Sequence, residues 1–96
     1  MREAEYQSKL KKTIEKRLPG CVVLKTDPSQ RQGMPDLLIL HNNRWAALEV
    51  KRSEKATKRP NQEYYVDKLN NMSYSSFIFP ENESEVLNAM ERSFET

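Results

Sequence analysis

Gly33-Met-Pro-Asp36-Leu-Leu-Ile-Leu-His41, then Asn42-Asn43, then Arg44-Trp-Ala-Ala-Leu-Glu49-Val-Lys51 is the stretch on which the fold turns. Two apolar runs flank a pair of asparagines. Asn tolerates positive φ, which a tight type I′ hairpin turn requires at both central positions, so residues 36–41 and 44–51 read as two antiparallel strands. Both runs are apolar on both faces, which places them centrally in a covered sheet. A two-residue turn at Asn42-Asn43 pairs His41 with Arg44. Counting back along both strands, it also sets Asp36 opposite Glu49.

Outward from the hairpin, the chain alternates between helix and strand patterns. Residues 2–18 carry Tyr6, Leu10, Ile14 and Leu18 at four-residue spacing, the stripe of an amphipathic helix, and Pro19-Gly20 ends it. Cys21 to Thr26 is a β-branched apolar run and reads as a strand, with Cys21 buried in it. Asp27 to Gly33, with Pro28, is a loop. Residues 52–60 form a basic loop ending in Pro60. Residues 61–71 read as a helix with Asn61 as its N-cap. Ser76-Phe-Ile-Phe79 is a short strand. After Pro80 comes a last amphipathic helix with Val86, Leu87 and Met90 on its apolar side. The order is α-β-β-β-α-β-α, an α+β arrangement with a mixed sheet flanked by helices. Residues 1–96 are expected to form one domain. Tyr6, Trp45, Tyr64 and Tyr65 read as core aromatics, and His41 as a solvated residue beside the turn.

The predicted pairing brings chemistry together. Directly opposed side chains on one face of an antiparallel pair have Cβ atoms about 4.5–5.5 Å apart. Two carboxylates that close repel unless a cation lies between them. Lys51 follows Glu49 by two residues and projects from the same face. Oxygen ligands of this kind suit Mg²⁺ or Mn²⁺. By spacing alone, Glu49 and Lys51 could equally be an exposed ion-pair face. Against that, Leu48 and Val50 on one side and Trp45 and Ala47 on the other imply a strand covered on both faces. Charges inside such a strand are costly without a partner.

Charge and composition narrow the function classes. The 96 residues are 36% hydrophobic and 31% charged, as in an ordinary globular domain. No apolar run approaches the roughly 20 residues of a membrane span. The single cysteine excludes an internal disulfide and makes an intracellular, reducing compartment the expectation. One Cys and one His exclude a Cys/His zinc site within the chain. Net charge is +2, but it is clustered: Lys9, Lys11, Lys12, Lys16 and Arg17 in the first helix, Lys51, Arg52, Lys55, Lys58 and Arg59 after the hairpin. Such clusters suit phosphates, although solvated faces would account for them on charge alone.

Gly33-Met-Pro35-Asp36 followed by Glu49-Val50-Lys51 resembles the PD-(D/E)xK nuclease signature. The surrounding chain resembles one branch of it, the small stand-alone VRR-NUC domains, or virus-type replication-repair nucleases. That branch opens with a helix reading E-x-x-I-Q, where this chain has Glu3-Ala-Glu-Tyr6-Gln7. It continues through G-x-P-D and a hairpin into E-x-K, then a basic loop and a glutamine near a helix start, here Pro60-Asn61-Gln62-Glu63-Tyr64-Tyr65. The resemblance covers residues 3–86 and departs at Met72-Ser73-Tyr74, where the family often has a glycine.

The resemblance implies a restriction-endonuclease-like α-β-β-β-α-β core and a Mg²⁺-dependent endonuclease, with Mn²⁺ able to substitute. In it Asp36, Glu49 and the backbone carbonyl of Val50 ligate the metal, and Lys51 positions or deprotonates the attacking water. Gln62 lies near the scissile phosphate. Glu3 is an additional metal-site group, or else an acid favoured by the helix dipole, a choice the sequence leaves open. Arg31, Arg52, Lys55, Lys58 and Arg59 are expected phosphate contacts. The implied partner is DNA, branched as in a four-way junction, cut by a homodimer without a membrane or nucleotide cofactor. Flaps or plain duplex as substrate, or a non-catalytic DNA-binding subunit, are the alternatives.

Overall fold

The computed structural model describes residues 1–27 and 29–95; Pro28, read as part of the first long loop, and Thr96 lie outside the described residues. The elements are α1 (Glu3–Arg17), β1 (Val22–Lys25), β2 (Leu37–His41), β3 (Arg44–Val50), α2 (Gln62–Met72), β4 (Tyr74–Ile78) and α3 (Glu83–Glu95). The α+β order is the expected one. The four strands form one mixed sheet in the order β1-β2-β3-β4, antiparallel at the first two junctions and parallel between β3 and β4. The parallel pair follows from the connection, because α2 returns the chain to the same end of the sheet before β4 starts.

The hairpin register is the predicted one: His41 pairs with Arg44 and Leu37 with Leu48, which carries Asp36 to the level of Glu49. The turn itself differs. Asn42 has φ 57°, but Asn43 is not among the described residues with positive φ, so the turn is not type I′. Loop length sets the pairing, and a two-residue hairpin also closes with one positive φ at its first central position.

The two faces of the sheet are covered unequally. Val23, Leu37, Ile39, Ala46, Leu48, Val50 and Ile78 point to one face. There they pack against Tyr6, Leu10 and Ile14 of α1 and Val86, Leu87, Met90 and Phe94 of α3, forming the main core. α3 has the strongest apolar stripe, and α1 is pinned to it by the Tyr6 hydroxyl, which donates to Glu83 at 2.8 Å. The other face carries Val22, Leu24, Leu38, Leu40, Trp45, Ala47 and Glu49, the alternate residues of the same strands. α2 packs on β3 and β4 there, with Gln62 and Val66 buried. Over β1 and β2 this face is open: Val22, Leu24 and Leu40 are 49%, 46% and 37% exposed. The expectation that both hairpin strands are covered on both faces therefore holds for β3 and fails for β2, because one crossover helix is too narrow to span four strands.

Three smaller differences concern single residues. Tyr64 lies on the solvent side of α2 and is exposed. Cys21 precedes β1 and is only half-buried. His41 is packed edge-on to Phe94, ring centroids 5.5 Å apart, with Nδ1 enclosed, so it is not a solvated residue.

Candidate active site

Asp36 is the residue just before β2. Its carbonyl accepts from the Thr26 amide at 2.8 Å, which extends the β1–β2 ladder one step beyond the assigned strands. Its side chain turns across to β3, where Oδ2 accepts from the Val50 amide at 2.9 Å. Because β2 ends here, that amide has no strand partner on this side, and the carboxylate takes the place of a ladder bond.

Glu49, on the neighbouring strand, is 1% exposed. Its Oε2 accepts from Gln62 Nε2 at 3.2 Å. Its Oε1 is enclosed and meets no N–H or alcohol donor, facing only the Asp36 carboxyl. Burial pushes the Glu49 carboxyl up to about 9, the hydrogen bond and charge of Asp36 push the same way, Lys51 offsets part of the rise, and Glu3 adds to it. Two hard oxygen donors and an orphaned buried oxygen fit a divalent cation such as Mg²⁺ or Mn²⁺.

Lys51 follows β3 and is also buried, at 5% exposure. Its amide donates to the Ile78 carbonyl at 2.9 Å, continuing the β3–β4 pairing. Its ammonium donates to the Thr57 carbonyl at 3.2 Å. The ammonium therefore ties the basic loop back over the end of the sheet. The loop has two further ties. The Glu54 amide donates to Glu81 Oε1 at 3.2 Å, and the Arg59 amide donates to Gln62 Oε1 at 2.7 Å.

Beside Lys51 opens a cleft of about 530 Å³ lined by Arg2, Glu3, Lys51, Arg52, Thr57 and Arg59, among others. Of the residues singled out in the sequence, the structure brings together Asp36, Glu49, Val50, Lys51 and Gln62 in one cluster. Glu3, Arg52 and Arg59 stand on the cleft wall. Glu3 acts on Glu49 through charge, and among the described residues no group of three His, Cys, Asp or Glu side chains converges as a metal site.

Three basic residues sit elsewhere. Arg31 lines a separate groove with Asp27, Tyr65 and Lys68. Lys58 lies over the Phe77 ring, 4.4 Å from its centroid, and Lys55 is exposed and not among the residues that line the cleft. Arg2 was not singled out by the sequence reading. Its signal was position, since it precedes Glu3 at the end of the helix that the motif already placed at the site. The lysines nearer Arg17 lie up to roughly 20 Å further along α1, at about 1.5 Å per residue.

Gly33, in the loop leading to Asp36, has φ +93°, and a Cβ there would fall 2.6 Å from Asn61 Cβ and 2.8 Å from the Asn61 carbonyl carbon. Only glycine allows the loop to pack this close to the start of α2. Asn61 caps α2 as expected in place, but from a left-handed conformation (φ 71°) and without a side-chain hydrogen bond.

No family model and no curated protein matches the chain. A solved structure described as a VRR_NUC domain is similar to it across 97% of this chain and 94% of that one, with a TM-score of 0.65 and 23% sequence identity. At that identity the likeness establishes the fold, and the chain has the fold of a VRR_NUC domain.

Proposed function

We propose that this chain is a metal-dependent endodeoxyribonuclease that uses Mg²⁺, or Mn²⁺ in its place, to nick branched DNA such as four-way junctions as a homodimer. The observation that carries the reading is Glu49: a fully buried carboxyl, opposite a second carboxyl and two residues from a buried ammonium, with one oxygen that meets no N–H or alcohol donor. Such a group costs stability and persists where something else needs it.

Asp36, Glu49 and the Val50 carbonyl are the residues that would hold the cation. Bound there, it would polarise a phosphoryl oxygen and lower the pKa of a water ligand. Lys51, at the boundary between the pair and the cleft, is placed to orient the attacking water and to offset charge building on the phosphate. Gln62 keeps the Glu49 carboxyl aimed. Glu3 lines the same cleft as Lys51, and its charge, felt at Glu49, would favour cation uptake. Arg2, Arg52 and Arg59, which line the cleft, would hold phosphates, with Lys55 and Lys58 on the same loop as Arg52 and Arg59. The homodimer reading is supported by the open apolar face of β1 and β2, since contiguous exposed apolar residues mark interaction surfaces. Two paired subunits would supply the two active sites that symmetric nicking of a junction needs.

The test is cleavage of a matched set of substrates (four-way junction, flap, fork and linear duplex) in Mg²⁺, Mn²⁺ and EDTA. Cutting that requires metal and is fastest on the junction is the expected result. A folded protein that cuts none of the four in either metal would sink the reading.

A further inference from the structure

Gln62 has a feature that a phosphate-contacting glutamine does not need. It is buried, and both ends of its amide are engaged: Oε1 accepts from the Arg59 amide at 2.7 Å, and Nε2 donates to Glu49 Oε2 at 3.2 Å. A primary amide is rigid and planar, so one group fixes both the orientation of the Glu49 carboxyl and the backbone of the basic loop. A local turn accounts for part of this, because the Gln62 amide also donates back to the Arg59 carbonyl at 3.2 Å. Local closure does not require the contact with Glu49, 13 residues away on β3. The loop's second tie, from Lys51 Nζ to Thr57, begins in the same cluster. Gln62 is held from behind by Asn61, whose left-handed backbone is seated against Gly33, three residues before Asp36.

We propose that Gln62 is a positioning residue that couples the carboxylate pair to the phosphate-binding loop, so that a divalent cation at Asp36 and Glu49 and a DNA strand on Arg52 and Arg59 strengthen each other's binding. The coupling rests on the nuclease reading above and extends it from chemistry to control of binding. A carboxylate that ligates a cation has a fixed orientation. The Gln62 amide is then ordered from one side, and less remains to be ordered when DNA fixes Arg59 from the other. Linkage makes the effect reciprocal. The consequence is that the protein holds DNA most firmly when it is loaded to cut.

The experiment measures the affinity of a labelled four-way junction in EDTA and in Ca²⁺, which takes the same oxygen ligands, beside calorimetry of Ca²⁺ binding to the free protein. For the wild type, Ca²⁺ should tighten DNA binding about fivefold or more, the lower end of ordinary coupling. Gln62→Met keeps the side-chain size and removes both hydrogen bonds, and Gln62→Glu keeps the acceptor for Arg59 while removing the donor to Glu49. Both should reduce the enhancement to less than about twofold, with the DNA affinity in EDTA changing less than the enhancement does. Gly33→Ala, which touches neither DNA nor cation, should lower the enhancement in the same direction by displacing Asn61. A purely structural role would lower the melting temperature without changing the ratio of the two affinities. Folded Gln62 variants with a wild-type ratio would overturn the coupling and leave the nuclease reading standing, as would a wild type that binds Ca²⁺ yet gains nothing on DNA. A wild type that binds no Ca²⁺ and cuts no substrate in Mg²⁺ or Mn²⁺ would overturn both.

Discussion

One face of the sheet has two halves that invert the usual distribution of side chains. Over β3 and β4, α2 covers a cluster in which Glu49 and Lys51 are buried and one carboxyl oxygen meets no N–H or alcohol donor. Over β1 and β2, the described residues leave much of the face open, with Val22, Leu24 and Leu40 exposed to water. A chain selected for stability alone would exchange them, since an unsatisfied buried carboxyl and a contiguous exposed apolar strip each oppose folding or solubility. On the function proposed above, the two halves would serve different partners, the covered half a cation and a phosphate and the open half a protein surface.

The largest effect is expected in the covered half. Lys51→Ala should lower single-turnover cleavage of a labelled junction on the order of a hundredfold or more, the usual cost of removing one electrostatic group from a transition state. The melting temperature should fall, because the buried ammonium also ties the loop to the sheet through Thr57, while DNA affinity should fall far less than the cleavage rate. A folded Lys51→Ala protein cutting near the wild-type rate would remove Lys51 from the chemistry.

Next is the cleft that adjoins that half. Replacing Arg2, Arg52 and Arg59 together by Ala should weaken DNA binding and lower the steepness of its salt dependence by up to about one unit per lost phosphate contact. Arg31→Ala, in the separate groove, should leave the slope unchanged. Equal slopes for the two variants would mean that the cleft is not the DNA path.

A smaller effect separates the pair from its cation. Glu49 holds its proton more tightly folded than unfolded, because burial and Asp36 raise its carboxyl from the ordinary 4.5 to about 9. A raised acid contributes most to stability at low pH, and that contribution is lost as pH rises from about 4.5 towards about 9. Metal-free Glu49→Gln should therefore gain in melting temperature relative to wild type as pH rises through that window, while losing the stabilisation that Mn²⁺ gives the wild type. A difference between the two proteins that does not vary with pH would contradict the raised carboxyl.

The smallest stability effect belongs to the open half. Leu24→Lys places a charge on an already exposed position, so the fold should change within about 0.5 kcal/mol. Light scattering should nonetheless show the dimer converting to monomer. A variant that remains dimeric would move the interface elsewhere.

The sequence disclosed these halves unequally. Asp36 opposite Glu49 was legible because a two-residue turn fixes pairing whatever its subtype, and the register survives although Asn43 does not adopt positive φ. Lys51 followed from strand alternation. The exposure of Leu40 and Val22 was not legible, because an apolar pattern shows what a side chain prefers and not whether the crossover helix reaches it. Tyr64 failed for the same reason on the other side of α2. The second bond of Gln62 was hidden because it depends on where a loop without regular pattern returns the chain. Gly33 was read as part of a motif, and its physical reason, the approach of Asn61, appears only in three dimensions.

On the proposed function, the buried carboxyl pair of Asp36 and Glu49 holds a divalent cation. Crystals soaked in Mn²⁺ and measured at an anomalous wavelength test it most directly. The expected result is a peak between Asp36 and Glu49, within about 2.0–2.6 Å of an oxygen from each. A crystal at saturating Mn²⁺ with no peak there, Glu49 still bonded to Gln62 and Asp36 still bonded to the Val50 amide, would contradict it.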